Sequence, residues 1–108
     1  MNDLLKKHCV PCENGEGKLD INKIKEYLPL VENWMLIGDQ IKRDFKFKNF
    51  KEAMDFVNKV AEIAEEEGHH PDIYIFYNKV NLSLWTHAAK GLTENDFILA
   101  AKVNALSS

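Results

Sequence analysis

Residues 65–72 read Glu-Glu-Glu-Gly-His-His-Pro-Asp, and a third histidine stands at His87. Carboxylates and imidazoles set this close can exchange protons near neutral pH. His69, His70 and His87 could instead hold a metal ion, although neighbours on an extended segment tend to point apart. A third possibility is a non-catalytic module that works by dimerising with a partner. Trp85 lies two residues before His87 and offers an aromatic wall for a flat ring.

The histidines need elements to hold them. Phe50, Ala53, Met54, Val57, Val60, Ala61 and Ala64 recur at helical spacing, so one amphipathic stripe predicts a helix over Phe50 to Glu67. Asn49 with Glu52 resembles a capping box, and Gly68 followed by Pro71 ends the helix just before the histidines. The negative end of the helix dipole favours a charged imidazole there, by up to about 2 kcal/mol. Glu65, Glu66 and Glu67 oppose that dipole, a local conflict of the kind found at functional sites; a solvated acidic helix end is the blander explanation.

Other segments have clear periods. Ile41, Arg43, Phe45 and Phe47 alternate with Lys42, Asp44, Lys46 and Lys48, which predicts a strand with one wet face, paired through Gly38-Asp39 with Trp34–Ile37. Residues 73–77 and 80–84 predict a second hairpin with its turn at Asn78-Lys79, and His87 at the end of the later strand. Asp20 caps a short first helix that Pro29 stops. Thr93 and Asp96 cap a last one containing Phe97, Ala100, Ala101 and Ala105, with Leu92 and Phe97 as a hydrophobic staple. The order α-β-β-α-β-β-α predicts an α+β two-layer sandwich: a four-stranded antiparallel sheet with three helices on one face. Exposed sheet edges then favour a homodimer or homotetramer.

Composition narrows the function. At 108 residues the chain is one domain, with residues 1–18 irregular and partly mobile and 19–108 folded. A net charge of −3 supplies no basic field for nucleic acid. No apolar run reaches the roughly 18 to 20 residues of a membrane span, and no signal peptide is evident, so a cytoplasmic location is expected. Cys9-Val10-Pro11-Cys12 lacks the partners of a zinc site and the βαβ setting of a thioredoxin-like pair.

Taken together, Glu65-x-x-x-His69-His70-Pro71, Tyr77-Asn78-Lys79-Val80, Thr86-His87 and Gly91-Leu92-Thr93-Glu94-Asn95-Asp96 resemble the pterin-4a-carbinolamine dehydratase family over residues 19 to 106. The resemblance implies dehydration of 4a-hydroxytetrahydropterin to quinonoid dihydropterin and water, in tetrahydrobiopterin recycling, with no cofactor or metal. It implies His69 and His87 as an acid–base pair, with His70 binding pterin or sharing the proton transfer. Glu65 and Asp96 would then orient the site. Mammalian members carry an aromatic shortly after His-His-Pro where this chain has Ile73, so Tyr74 or Trp85 would replace it. Alternatives within the family are a regulatory binding module, or action on another pterin such as a molybdenum-cofactor precursor.

Overall fold

The computed structural model of the chain describes residues 3–10 and 17–106. Over these residues the α-helices and strands run α1 (Ile21–Tyr27), β1 (Met35–Ile37), β2 (Gln40–Lys46), α2 (Phe50–Glu67), β3 (Asp72–Phe76), β4 (Lys79–Leu84) and α3 (Glu94–Leu106). This is the expected α+β arrangement. The sheet is antiparallel in the order β1-β2-β4-β3, so both hairpins form and β2 pairs with β4 at the centre. Ile41 stands opposite Leu84 and Phe45 opposite Val80. Those side chains, with Leu82, pack against Val57, Val60, Phe97 and Ile98 of the helices.

The caps are local. Asp20 accepts from the Lys23 N–H and Asn49 from the Glu52 N–H, each at 2.9 Å. The second hairpin turns one residue earlier than expected, at Tyr77-Asn78, with Tyr77 at φ 51°. Asn78 compensates for that strain: its side chain donates to the Phe47 carbonyl at 3.0 Å, and its own carbonyl accepts from the Phe47 N–H at 2.7 Å.

Two helix faces differ from the periodic reading. In α2 the buried residues are Ala53, Phe56, Val57, Val60 and Ala64, while Phe50 is half exposed and Ala61 faces solvent. Phe56 is drawn in by Phe45 and Phe47, whose ring centroids lie 4.6 and 5.0 Å from its own. In α3 the stripe is wider than expected. Ile98, Leu99 and Val103 are buried along with Phe97, Ala100 and Ala101, whereas Ala105 is exposed.

Within the segment expected to be irregular, residues 7–10 have no regular secondary structure, yet residues 3–10 are docked on the fold. Asp3–Lys6 form a 3-10 turn that buries Leu4 in the core. The chain then crosses from α3 to the end of α2. Lys7 pairs with Glu94 at 2.8 Å, and Glu67 accepts from the Cys9 N–H at 2.7 Å, His8 at 2.9 Å and Lys102 at 2.8 Å. Cys9 packs against the Asn95 carbonyl, and burial, aided by the Glu67 charge, pushes its thiol up to about 12, which makes it a poor nucleophile. Cys12, the other half of the C-x-x-C pair, lies outside the described residues.

Glu67 makes this docking acid-sensitive. Burial alone would raise its carboxyl, but the hydrogen bonds from Lys102, the Cys9 N–H and His8 outweigh burial and hold it at about 2 against an ordinary 4.5. A folded value below the unfolded one means stability that is fully present above pH 4.5 and lost as pH falls toward about 2. The Cys9 amide proton signal should therefore stay fixed from neutral pH to about 4.5 and move below it. Movement confined to pH above that value would show that another group holds the segment.

Candidate active site

The turn after α2 sets the first histidine. Gly68 takes the left-handed conformation, φ 65° and ψ 24°, and the His69 N–H donates to the Ala64 carbonyl at 3.2 Å. Open space surrounds the position where a Gly68 side chain would begin, so it is the backbone angle that calls for glycine. This turn aims His69 across the molecule at the first turn of α3.

There the imidazole meets Asp96. The His69 Nε2 to Asp96 Oδ1 distance is 2.6 Å, with Asp96 wholly buried and the His69 side chain 12% exposed. Asp96 Oδ2 accepts from the Thr93 N–H and from the Thr86 hydroxyl, both at 2.9 Å, and Thr86 also touches the Thr93 hydroxyl at 2.9 Å. Asp96 is thus both the expected capping residue of α3 and the group that orients His69. Both contacts on Oδ2 come from donors. Nε2 of His69 faces Oδ1, which leaves Nδ1 as the ring nitrogen not held by Asp96.

The other candidates divide. His87 does not sit on the strand as expected: β4 ends at Leu84, and His87 opens a 3-10 turn, His87–Ala89. The cause is a pinch between Thr86 and Gly91, whose backbones exchange hydrogen bonds of 2.9 and 3.3 Å and fold the chain back between them. Trp85 packs against His87 with ring centroids 3.8 Å apart and the ring planes tilted by 38°. His70 pairs with Glu65 at 2.6 Å on the exposed rim.

One cleft of about 540 Å³ gathers His69, His70, His87, Trp85 and Thr86, with Pro71, Asp72, Asn95 and Val10. That volume is in the usual range for a small-molecule site. Tyr74 does not line it. Strand alternation puts Tyr74 on the same face as Asp72 but about 7 Å further along β3, opposite Asn81 on the exposed side of the sheet. Trp85 is then the aromatic wall. Its Nε1–H is buried without a hydrogen-bond partner among the described residues, and an unmet buried donor costs about 1–3 kcal/mol. Also among the described residues, no three His, Cys, Asp or Glu side chains gather closely enough to hold a metal ion.

Sequence reasoning missed Glu67, Thr86 and Asn95. Glu67 had a signal: it continues the spacing of Val60 and Ala64, which places it on the buried stripe of α2. Thr86 and Asn95 had none, because long-range pairing alone gives them their roles. No described helix is long and apolar enough to cross a membrane.

The family model described as pterin 4 alpha carbinolamine dehydratase matches residues 17–106. A protein of Alkaliphilus metalliredigens, provisionally named a pterin-4-alpha-carbinolamine dehydratase, is 46% identical across 100% of this chain and 99% of its own. Pterin-4-alpha-carbinolamine dehydratase 2, mitochondrial, of Arabidopsis thaliana is 44% identical across 96% of this chain and 59% of its own. Among solved structures, a transcriptional coactivator/pterin dehydratase from Brucella melitensis superposes with a TM-score of 0.81 at 35% identity, covering 84% of this chain and 99% of that one. A pterin dehydratase-like RuBisCO assembly factor of the alpha-carboxysome superposes with a TM-score of 0.57 at 28% identity, over 69% of this chain and 87% of that one. The match over residues 17–106, with relatives 44–46% identical along nearly the full chain, means that the chain belongs to the pterin 4 alpha carbinolamine dehydratase family.

Proposed function

We propose that the chain is a hydro-lyase that dehydrates 4a-hydroxytetrahydropterin to quinonoid dihydropterin and water. The observation that carries this reading is the His69–Asp96 pair, buried at the wall of a cleft that His87 and Trp85 also line. In the reaction the bond between C4a and the hydroxyl oxygen breaks, the N5–H proton leaves, and a C=N bond forms between N5 and C4a. No electrons are exchanged with a second reactant. The hydroxyl needs a proton in order to leave as water, and N5 needs a base.

His69 and His87 supply those two roles in this proposal. Asp96 holds one ring nitrogen of His69, so the other meets the substrate in a fixed orientation. Trp85 backs His87 and offers its face to the flat pterin. His70, paired with Glu65 at the rim, contacts substrate as it enters. Tetrahydrobiopterin recycling is the setting this activity fits, and a cytoplasmic location belongs to the same proposal. So does a homodimer or homotetramer formed through the open edges of β1 or β3, which sedimentation would read directly.

The test is a stopped-flow assay on 4a-hydroxytetrahydropterin generated in place. The protein should form quinonoid dihydropterin well above the spontaneous rate. A rate equal to the spontaneous one overturns the assignment.

A further inference from the structure

The cleft has one wall that the family match does not reach. The matched region begins at residue 17, yet Val10 lines the cleft beside His69, His70 and His87. Val10 is 64% exposed, so its side chain is open to a ligand and is not packed into the core.

Its backbone, by contrast, is gripped. The Val10 N–H donates to Asn95 Oδ1 at 3.0 Å, and the Asn95 side-chain amide donates to the Val10 carbonyl at 2.6 Å. Asn95 is buried, 4% exposed. One residue earlier, the Cys9 N–H is held by Glu67. Leu4 anchors the far end of the segment in the core. The grip therefore spans the end of α2, which leads into His69, and the start of α3, which carries Asp96.

These contacts use backbone atoms of residue 10, so any side chain except proline fits the same clasp. Side-chain size there can vary without releasing the segment. We propose that residues 7–10 are a fixed strap forming one wall of the substrate cleft, and that the Val10 side chain sets the largest pterin the cleft admits. The ligand class is pterins that differ in the bulk of the ring substituent. This rests on the dehydratase reading.

The experiment compares the full chain with Val10→Gly and Val10→Phe on two 4a-hydroxytetrahydropterins, one with a 6-methyl and one with a 6-dihydroxypropyl group. The Phe variant should lose about tenfold more kcat/KM on the bulkier substrate than on the smaller, mostly through KM, on the scale of a few methylenes against a pocket wall. The Gly variant should narrow the preference between the two. Thermal midpoints should match across the set, because the side chain is exposed. An active parent whose variants keep its KM values and its preference overturns the strap proposal alone. An inactive parent overturns the dehydratase reading and, with it, this inference. Asn95→Leu gives a second check: it removes the grip, so KM should rise for both substrates, whereas unchanged KM in a folded variant counts against the strap.

Discussion

Replacing His69 and His87 together with alanine should lower kcat/KM on 4a-hydroxytetrahydropterin by about 10²–10⁴-fold, the usual contribution of positioned acid–base groups. The loss should fall mainly on kcat, because the proton transfers occur at the transition state and contribute little to ground-state binding. Two variants would separate the roles. His69→Ala alone leaves the buried Asp96 carboxylate facing a void, so it should cost stability as well as rate. His87→Ala removes an exposed ring packed against Trp85, so its thermal midpoint should stay close to that of the parent. His70→Ala should have the smallest effect of the three, since both His70 and its partner Glu65 are largely exposed and a pair of that kind is worth little. A double variant that keeps the parent rate would remove histidine catalysis from the proposal, even if the protein still binds pterin.

The second large effect is expected at Asp96. Its carboxylate satisfies His69, the Thr93 N–H and the Thr86 hydroxyl at once, in a position without solvent access. Asp96→Ala orphans His69 and the Thr93 N–H, leaves the Thr86 hydroxyl with only its Thr93 contact, and also removes half of the α3 cap. Each buried donor left unsatisfied costs about 1–3 kcal/mol, so the loss should amount to several kcal/mol. For a domain of this size that lowers Tm by well over about 10 °C. Asp96→Asn separates stability from catalysis. The amide keeps the volume and one acceptor oxygen but turns an N–H₂ toward one of the former donors. The fold should persist with a smaller loss of Tm. The His69 ring would lose its fixed orientation, and kcat should fall by an order of magnitude or more. A changed pH dependence of kcat in Asp96→Asn would report His69 directly, which a purely structural cap would not do. An Asn variant with parental kcat and pH profile would reduce Asp96 to a capping residue.

The fold was legible wherever the signal was short-range. Asn49, Gly68 and Pro71 bounded α2 at the observed residues because caps and breakers act through backbone groups within one turn. Alternation in residues 41–47 and 80–84 marked strands, since a half-buried strand repeats every second residue. Legibility ended where two local solutions were nearly equal. On α2 an arc with Phe50 and an arc with Phe56 share Ala53, Val57, Val60 and Ala64. The rings of Phe45 and Phe47, on another element, decided between them. At Tyr77-Asn78 the turn shifted by one residue because Asn78 pairs with Phe47, which sequence spacing does not reveal.

The candidate site divides in the same way. The sequence by itself determined the chemical inventory, the helix end that presents His69 and His70, and the cap at Thr93 and Asp96. Each depends on residues a few positions apart and on hydrogen bonds the backbone makes locally. Only the tertiary structure decided that Asp96 turns its second oxygen to His69 and that Trp85 is the aromatic at the cleft while Tyr74 is not. It also decided that Glu67 is a buried anchor and that Val10 closes a wall. Those outcomes follow from how the helices settle on the sheet, a balance of burial summed over the whole core. His69 and Asp96 stand 27 positions apart, and no pattern read along the chain carries a contact made at that range.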